Sequence, residues 1–96
     1  MDRDQAIARL RSQGFHVFER TWALGESIGV AALPVEGSGD IRAYRVMEYL
    51  YPIEGGRWRV TDFRHNNGLD SEHPNLANAV DAIARALQAW ITAKGE

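Results

Sequence analysis

A predicted β-hairpin with apolar residues on both faces constrains the fold of this chain more than any other feature. Its first arm is 42–53, its turn is Glu54-Gly55-Gly56 and its second arm is 57–64. Successive side chains of a strand point to opposite faces. The two faces of the first arm therefore carry Tyr44, Val46 and Leu50, and Met47, Tyr49, Tyr51 and Ile53. The helices of a small domain cover one sheet face, so we expect the other face to stay open for binding.

The size and charge of the chain exclude several classes of protein. Ninety-six residues are enough for one domain, spanning 1–96, and too few for two hydrophobic cores. The net charge is −2 and Lys94 is the single lysine, which argues against nucleic acid as the main partner, since phosphate binding depends on basic residues. There are no cysteines for disulfides or thiolate metal sites. The N-terminal residues lack a signal-peptide core and no stretch is long and apolar enough to span a membrane, so we expect a cytoplasmic protein.

The first element is predicted to be a helix over 2–13. Its apolar positions are Ala6, Ile7 and Leu10, at helical spacing. Asp2 or Asp4 favours the helix start, through capping or the helix dipole. Gly14 stands where a left-handed residue ends a helix, and Phe15 can supply the hydrophobic contact that follows such a cap.

The last element, 76–93, is the strongest helix prediction, with Asn75 as its N-cap. Its apolar positions recur at intervals of three and four: Leu76, Val80, Ile83, Leu87, Trp90 and Ile91. Alanines fill much of the rest and add helix propensity.

Two further strands precede the hairpin. The segment 15–24 is rich in β-branched and aromatic residues, and 28–35 is an almost wholly apolar run typical of a central strand. We expect 25–27 to be a tight connection, 36–40 a hairpin loop and 65–75 a loop. The predicted fold is therefore α+β, a two-layer sandwich in which N- and C-terminal helices cover a four-stranded antiparallel meander (α-β-β-β-β-α). Its predicted core is Ile7, Leu10, Val30, Leu33, Leu76, Val80, Ile83, Leu87 and Ile91.

The polar residues form no recognisable catalytic, cofactor or metal motif. His65 and His73 flank Asp70 and Glu72, a mixture that can bind a metal, but the spacing fixes no coordination geometry and we expect a polar loop. No serine lies in a Gly-x-Ser-x-Gly frame. We expect no enzymatic activity and no cofactor.

Two acids interrupt the apolar faces of the hairpin, Glu48 and Asp62. A three-residue turn sets them directly opposite each other, a repulsive arrangement. A two-residue turn sets Glu48 opposite Phe63 instead. In either register Arg64 lies close enough to help neutralise Glu48, so ion pairing at the sheet surface is favoured over acid–base chemistry.

Arginines alternate with aromatic residues along the hairpin. A three-residue turn places Arg57 and Arg59 on the face of Tyr49 and Tyr51, whereas a two-residue turn places Trp58 and Val60 there. Arginine, tyrosine and tryptophan concentrate binding energy at protein interfaces. The candidate protein-binding residues are therefore Tyr49, Tyr51, Arg57, Arg59, Arg45 and Trp58. Arginines at a strand edge also serve to prevent aggregation, which is the alternative role.

The order of elements bears on two known families. A helix, a meander and a closing helix are similar to the double-stranded-RNA-binding domain, but that family has one strand fewer and a lysine-rich start to its last helix. Here that segment reads Asn75-Leu76-Ala77-Asn78. In length, charge and lack of catalytic motifs the whole chain resembles the small immunity proteins of bacterial toxin–immunity systems.

The resemblance to immunity proteins implies a cognate toxin as partner and transfers no functional residues. The alternatives are a self-associating structural or regulatory domain, which would form a homodimer, and a small ligand-binding domain or enzyme.

Overall fold

The computed structural model describes residues 1–22, 25–34, 44–61 and 70–94. Within these ranges, two helices pack on one face of an antiparallel sheet, as the predicted α+β sandwich requires. The elements, in chain order, are α1 (Arg3–Ser12), β1 (His16–Trp22), β2 (Gly25–Pro34), β3 (Tyr44–Pro52), a 3₁₀ turn (Glu54–Gly56), β4 (Trp58–Thr61), β5 (Asp70–His73) and α2 (Leu76–Lys94).

The sheet is a simple meander in which each strand pairs with its sequence neighbours, in the order β1-β2-β3-β4-β5. One cross-strand row runs through its centre, joining Ile28, Leu50 and Val60. All three side chains are fully buried. α2 packs over β3 and β4, while α1 packs on β1 and against α2. This row therefore marks the face that the helices cover.

Both ends of α1 are closed by local interactions that the sequence predicts. Asp2 is the N-cap and forms a capping box with Gln5: its carboxylate accepts from the Gln5 amide at 2.8 Å, and its own amide donates to Gln5 Oε1 at 2.9 Å. At the other end Gly14 has φ +94°, and the Phe15 amide donates to the Leu10 carbonyl at 3.2 Å. This is a Schellman motif, and the buried Phe15 and Leu10 both join the core.

The start of α2 is also confirmed. The Asn75 side chain accepts from the Asn78 amide at 2.8 Å, which makes Asn75 the N-cap.

The core lies between the helices and the sheet and agrees with the predicted set. Seven of the nine predicted residues are buried: Ile7, Leu10, Val30, Leu76, Val80, Ile83 and Leu87. Ile91 is half-buried and packs against the cluster. The side chain of Leu33 lies outside the described part of the structure.

The strand count and one loop need correction. The described residues form five strands instead of the predicted four, because Asp70–His73, predicted to be loop, pairs with β4 as an edge strand. The segment 25–27 is not a connection but the start of β2, with Gly25 paired to Trp22. Residues 23–24, between β1 and β2, and the predicted loop 36–40 are outside the described residues.

No helix within the described ranges has the length and apolar character needed to cross a bilayer.

The packing of α2 makes Leu87 a test of the core. Replacing the fully buried Leu87 with alanine should lower the free energy of unfolding by about 2–5 kcal/mol, because it leaves a cavity between helix and sheet. The matched control is Gln88→Ala on the exposed side of the same turn, which should change it by less than about 0.5 kcal/mol. Urea unfolding followed by circular dichroism measures both. Equal, small losses would contradict the described packing.

Candidate functional site

The turn of the hairpin decides which residues share the face opposite the helices. The Ile53 amide donates to the Arg57 carbonyl at 2.9 Å across Glu54–Gly56, and Gly55 and Gly56 both have φ +74°. This is the register of a three-residue turn. It places Tyr51 opposite Arg59 and Tyr49 opposite Thr61. Arg57 and Arg59 therefore lie on the tyrosine face, one of the two alternatives that the sequence left open.

A set of paired charges covers one end of this face. Arg59 holds Asp70 with two hydrogen bonds, 2.7 Å from Nε to Oδ1 and 2.8 Å from Nη2 to Oδ2. Arg57 donates to Glu72 at 2.7 Å. Each arginine thus contacts an acid on β5 that lies diagonal to it in the strand register. We call Arg57, Arg59, Asp70 and Glu72, with the neighbouring Tyr51, the charged ladder.

The ladder is exposed, and the contact between Arg59 and Asp70 favours the ionised form of both. Between 37% and 54% of each of its four charged side chains is accessible. The hydrogen bond from Arg59 lowers the pKa of the Asp70 carboxyl below its ordinary value of 3.8. In return the pKa of the Arg59 guanidinium is raised, first by the hydrogen bond to Asp70 and then by the electrostatic effect of Tyr51.

Of the other residues predicted to bind a protein, Tyr49 and Trp58 do not reach the ladder's exposed surface. Tyr49 shares its face but is only 3% exposed, between Gly29 and Thr61 in the neighbouring strands. Trp58 lies on the opposite face, half-buried against the core. Arg45 is on β3, but its side chain is outside the described part of the structure.

The expected open aromatic patch is absent from the described residues. On the face opposite the helices Ser27, Ala31, Tyr49 and Thr61 are all buried. Among the described side chains, the large hydrophobic residue that is exposed is Met1. What this face offers to a partner, within the described ranges, is charge and a half-buried tyrosine instead of an apolar surface.

Glu48 lies on the other face, inside the core. It stands opposite Val30 under the helix layer and is fully buried. Its Oε2 atom accepts no hydrogen bond in the described part of the chain, although Glu48 does take part in a further interaction. The prediction that Glu48 lies at the sheet surface is therefore wrong, whereas its pairing with Arg64 stays a prediction. Asp62 and Arg64 are outside the described residues.

One polar pair was missed by the sequence analysis. Ser71 Oγ and His73 Nε2 are 2.8 Å apart on β5, both half-buried. Residues two apart on a strand share a face, so the sequence predicts this pair only if 70–73 is assigned as a strand. A serine and histidine at this distance can act as nucleophile and base. Within the described residues, however, no carboxylate binds His73 to orient its ring.

The residues considered for a metal site do not form a cluster in the described part of the structure. No three histidine, aspartate or glutamate side chains converge there in a cluster that could hold an ion. Asp70 and Glu72, two of the acids considered for such a site, are paired with arginines instead. His65 lies outside the described residues.

Comparisons with models of known protein families, with curated protein sequences and with solved structures give no significant match to this chain.

The burial of Tyr49 predicts that two tyrosines on one face respond differently to truncation. Tyr49→Ala should lower the free energy of unfolding by about 3–5 kcal/mol, the usual cost of removing a buried aromatic ring. Tyr51→Ala, at a half-buried site, should lower it by about 1 kcal/mol. Denaturant titration of both variants gives the comparison. Similar losses would show that the two rings are equally exposed.

The ion pair between Asp70 and Arg59 predicts a titration that NMR can follow. Because the folded-state pKa of Asp70 is lower than the unfolded value, the pair stabilises the fold above that value, and this contribution is lost as pH falls through the folded pKa. The carboxyl carbon of Asp70 should therefore titrate below 3.8 in the wild type. In Arg59→Gln the midpoint should return toward 3.8. An unchanged midpoint in the variant would contradict the pair.

Proposed function

We propose that this chain is a non-enzymatic protein-binding domain of the immunity type, which neutralises a cognate toxin in the cytoplasm by binding it directly. The observation that supports this proposal is the charged ladder, an exposed surface of two arginine–acid pairs beside Tyr51. The ladder lies on the sheet face away from both helices, where a partner can approach it without displacing either of them.

The composition and geometry of the ladder suit a protein partner. Arginine and tyrosine are enriched among residues that dominate binding energy at interfaces. The bidentate contact with Asp70 fixes the Arg59 guanidinium, so binding loses less side-chain entropy than with a free arginine. Exposed ion pairs contribute only about 0–1 kcal/mol each to the free energy of folding. Fold stability alone is therefore a weak explanation for the presence of these pairs.

The order of charges on the ladder also indicates what kind of partner fits. Arg57 and Arg59 lie beside the acids of β5, so a complementary surface presents acids and bases in matching alternation. Such an arrangement fixes the register of a complex and rejects partners whose like charges would meet. A polyanion such as nucleic acid meets Asp70 and Glu72 as well as the arginines, which disfavours it.

Self-association is the second candidate, supported by the same ladder. A surface that carries both signs of charge can be self-complementary in a two-fold dimer, in which the arginines of one copy face the acids of the other. A small ligand-binding domain is the remaining alternative.

Coexpression tests the toxin-binding proposal. We expect the chain to rescue growth of cells that express a toxin encoded beside its own gene, and to form a complex with that toxin in calorimetry. Arg59→Gln combined with Tyr51→Ala should weaken the complex at least about tenfold, roughly 1.4 kcal/mol, because hot-spot contacts are lost.

The matched control is Arg85→Gln, which removes the same charge from the helix layer and should leave affinity unchanged. Both variants are first shown to be folded by denaturant titration. Equal affinity of the double variant and the wild type would refute a role for the ladder. A concentration-dependent dimer in light scattering, lost in the double variant but kept in Arg85→Gln, would establish self-association instead.

A further inference from the structure

A surface hollow lies in the helix layer, on the opposite side of the molecule from the charged ladder. α1 has ten residues and α2 nineteen, so α2 is longer by about 13 Å and extends beyond its neighbour. Where α1 ends, a hollow of about 370 Å³ opens between the helices, lined by Gln13, Phe15, Ala84, Arg85 and Gln88. A smaller one, about 250 Å³, adjoins it and is lined by Gln13, Asp81, Ala84 and Arg85.

The Arg85 guanidinium has no acidic partner among the described residues, because the acid one turn before it pairs with Arg9. Asp81 precedes Arg85 by one helical turn, the spacing at which helix residues form ion pairs. Its carboxylate lies instead 3.6 Å from Arg9 Nη2, in the ion pair that joins α1 to α2. Within the described residues Arg85 has no ion pair or hydrogen bond of its side chain. Arg85 lines both hollows, whereas Asp81 lines only the smaller one.

We propose that the larger hollow binds a carboxylate attached to an apolar group, either a free organic acid or the C-terminal residue of a peptide. The guanidinium fork of Arg85 matches the two oxygens of a carboxylate. The exposed amides of Gln13 and Gln88 lie beside it as further hydrogen-bond donors. The buried ring of Phe15 and the side chain of Ala84 form the apolar wall that receives the remainder of the ligand.

The dimensions and charges of the hollow agree with this chemistry. Its volume falls within the range of roughly 300–1,000 Å³ typical of small-molecule sites, which combine apolar walls with a few polar groups. No acid lines it among the described residues. The site uses none of the ladder residues, so it stands independently of the proposed function.

The experiment is an NMR titration of ¹⁵N-labelled protein with four probes at constant ionic strength. Phenylacetate and the peptide N-acetyl-Gly-Leu carry the carboxylate, while phenylacetamide and N-acetyl-Gly-Leu-amide lack it. We expect saturable shifts of the signals of Gln13, Phe15, Arg85 and Gln88 with at least one of the two acids, and binding at least about tenfold weaker for its amide. The acid that binds more tightly identifies the source of the carboxylate.

Three variants separate this site from general charge effects. Arg85→Gln should weaken binding at least about tenfold, whereas Arg57→Gln, the same loss of charge on the sheet face, should leave it unchanged. Arg9→Gln should also weaken binding, because it releases Asp81 to pair with Arg85. The proposal is overturned if neither acid gives saturable shifts, if the amides bind as well as the acids, or if Arg85→Gln binds like the wild type.

Discussion

The buried row of Ile28, Leu50 and Val60 beneath α2 is the contact on which the rest of the structure depends. Side chains alternate along a strand, so shifting any of these strands by one residue would move its buried side chain to the face away from the helices. The burial of three fully enclosed aliphatic side chains therefore fixes both the register and the sidedness of the sheet. Every polar group on the sheet takes its position from that choice.

The charged ladder is one consequence of this register. With Leu50 and Val60 held under the helix, Tyr51 and Arg59 must point to the other face. β5 then supplies the acids: Asp70 and Glu72 share the face of Arg59, while Ser71 stands opposite Val60 on the helix side. The same arrangement protects the sheet, since a short edge strand with charged side chains is a poor template for pairing with another chain. Edge protection and the proposed recognition of a partner thus require the same residues.

Local patterns predicted local structure well. The cap of α1 at Asp2, its termination at Gly14 and the start of α2 at Asn75 each depend on residues within five positions of one another. β5 was missed because Asp-Ser-Glu-His has neither apolar alternation nor high strand propensity. Its pairing with β4 and its ion pairs to Arg57 and Arg59 are contacts at long sequence separation. The burial of Tyr49 and Glu48 also depends on residues distant in sequence. Alternation along the strand assigns each side chain to a face, but it does not show how deeply that side chain is buried.

Among the described residues, three kinds of arginine differ in what their guanidinium groups contact. Arg3 binds Glu19 and the Ser27 carbonyl, and Arg11 binds the Val17 carbonyl, so both tie α1 to the sheet. Arg57 and Arg59 are held by acids of β5 on the exposed sheet face, where a large complementary surface can contact them. Arg85 differs because Arg9 occupies the acid that would pair with it. A paired arginine offers a partner fixed geometry with little net charge, whereas an uncompensated one offers charge. This difference is why we propose a macromolecular partner of mixed charge for the sheet face and a small carboxylate for the helix layer.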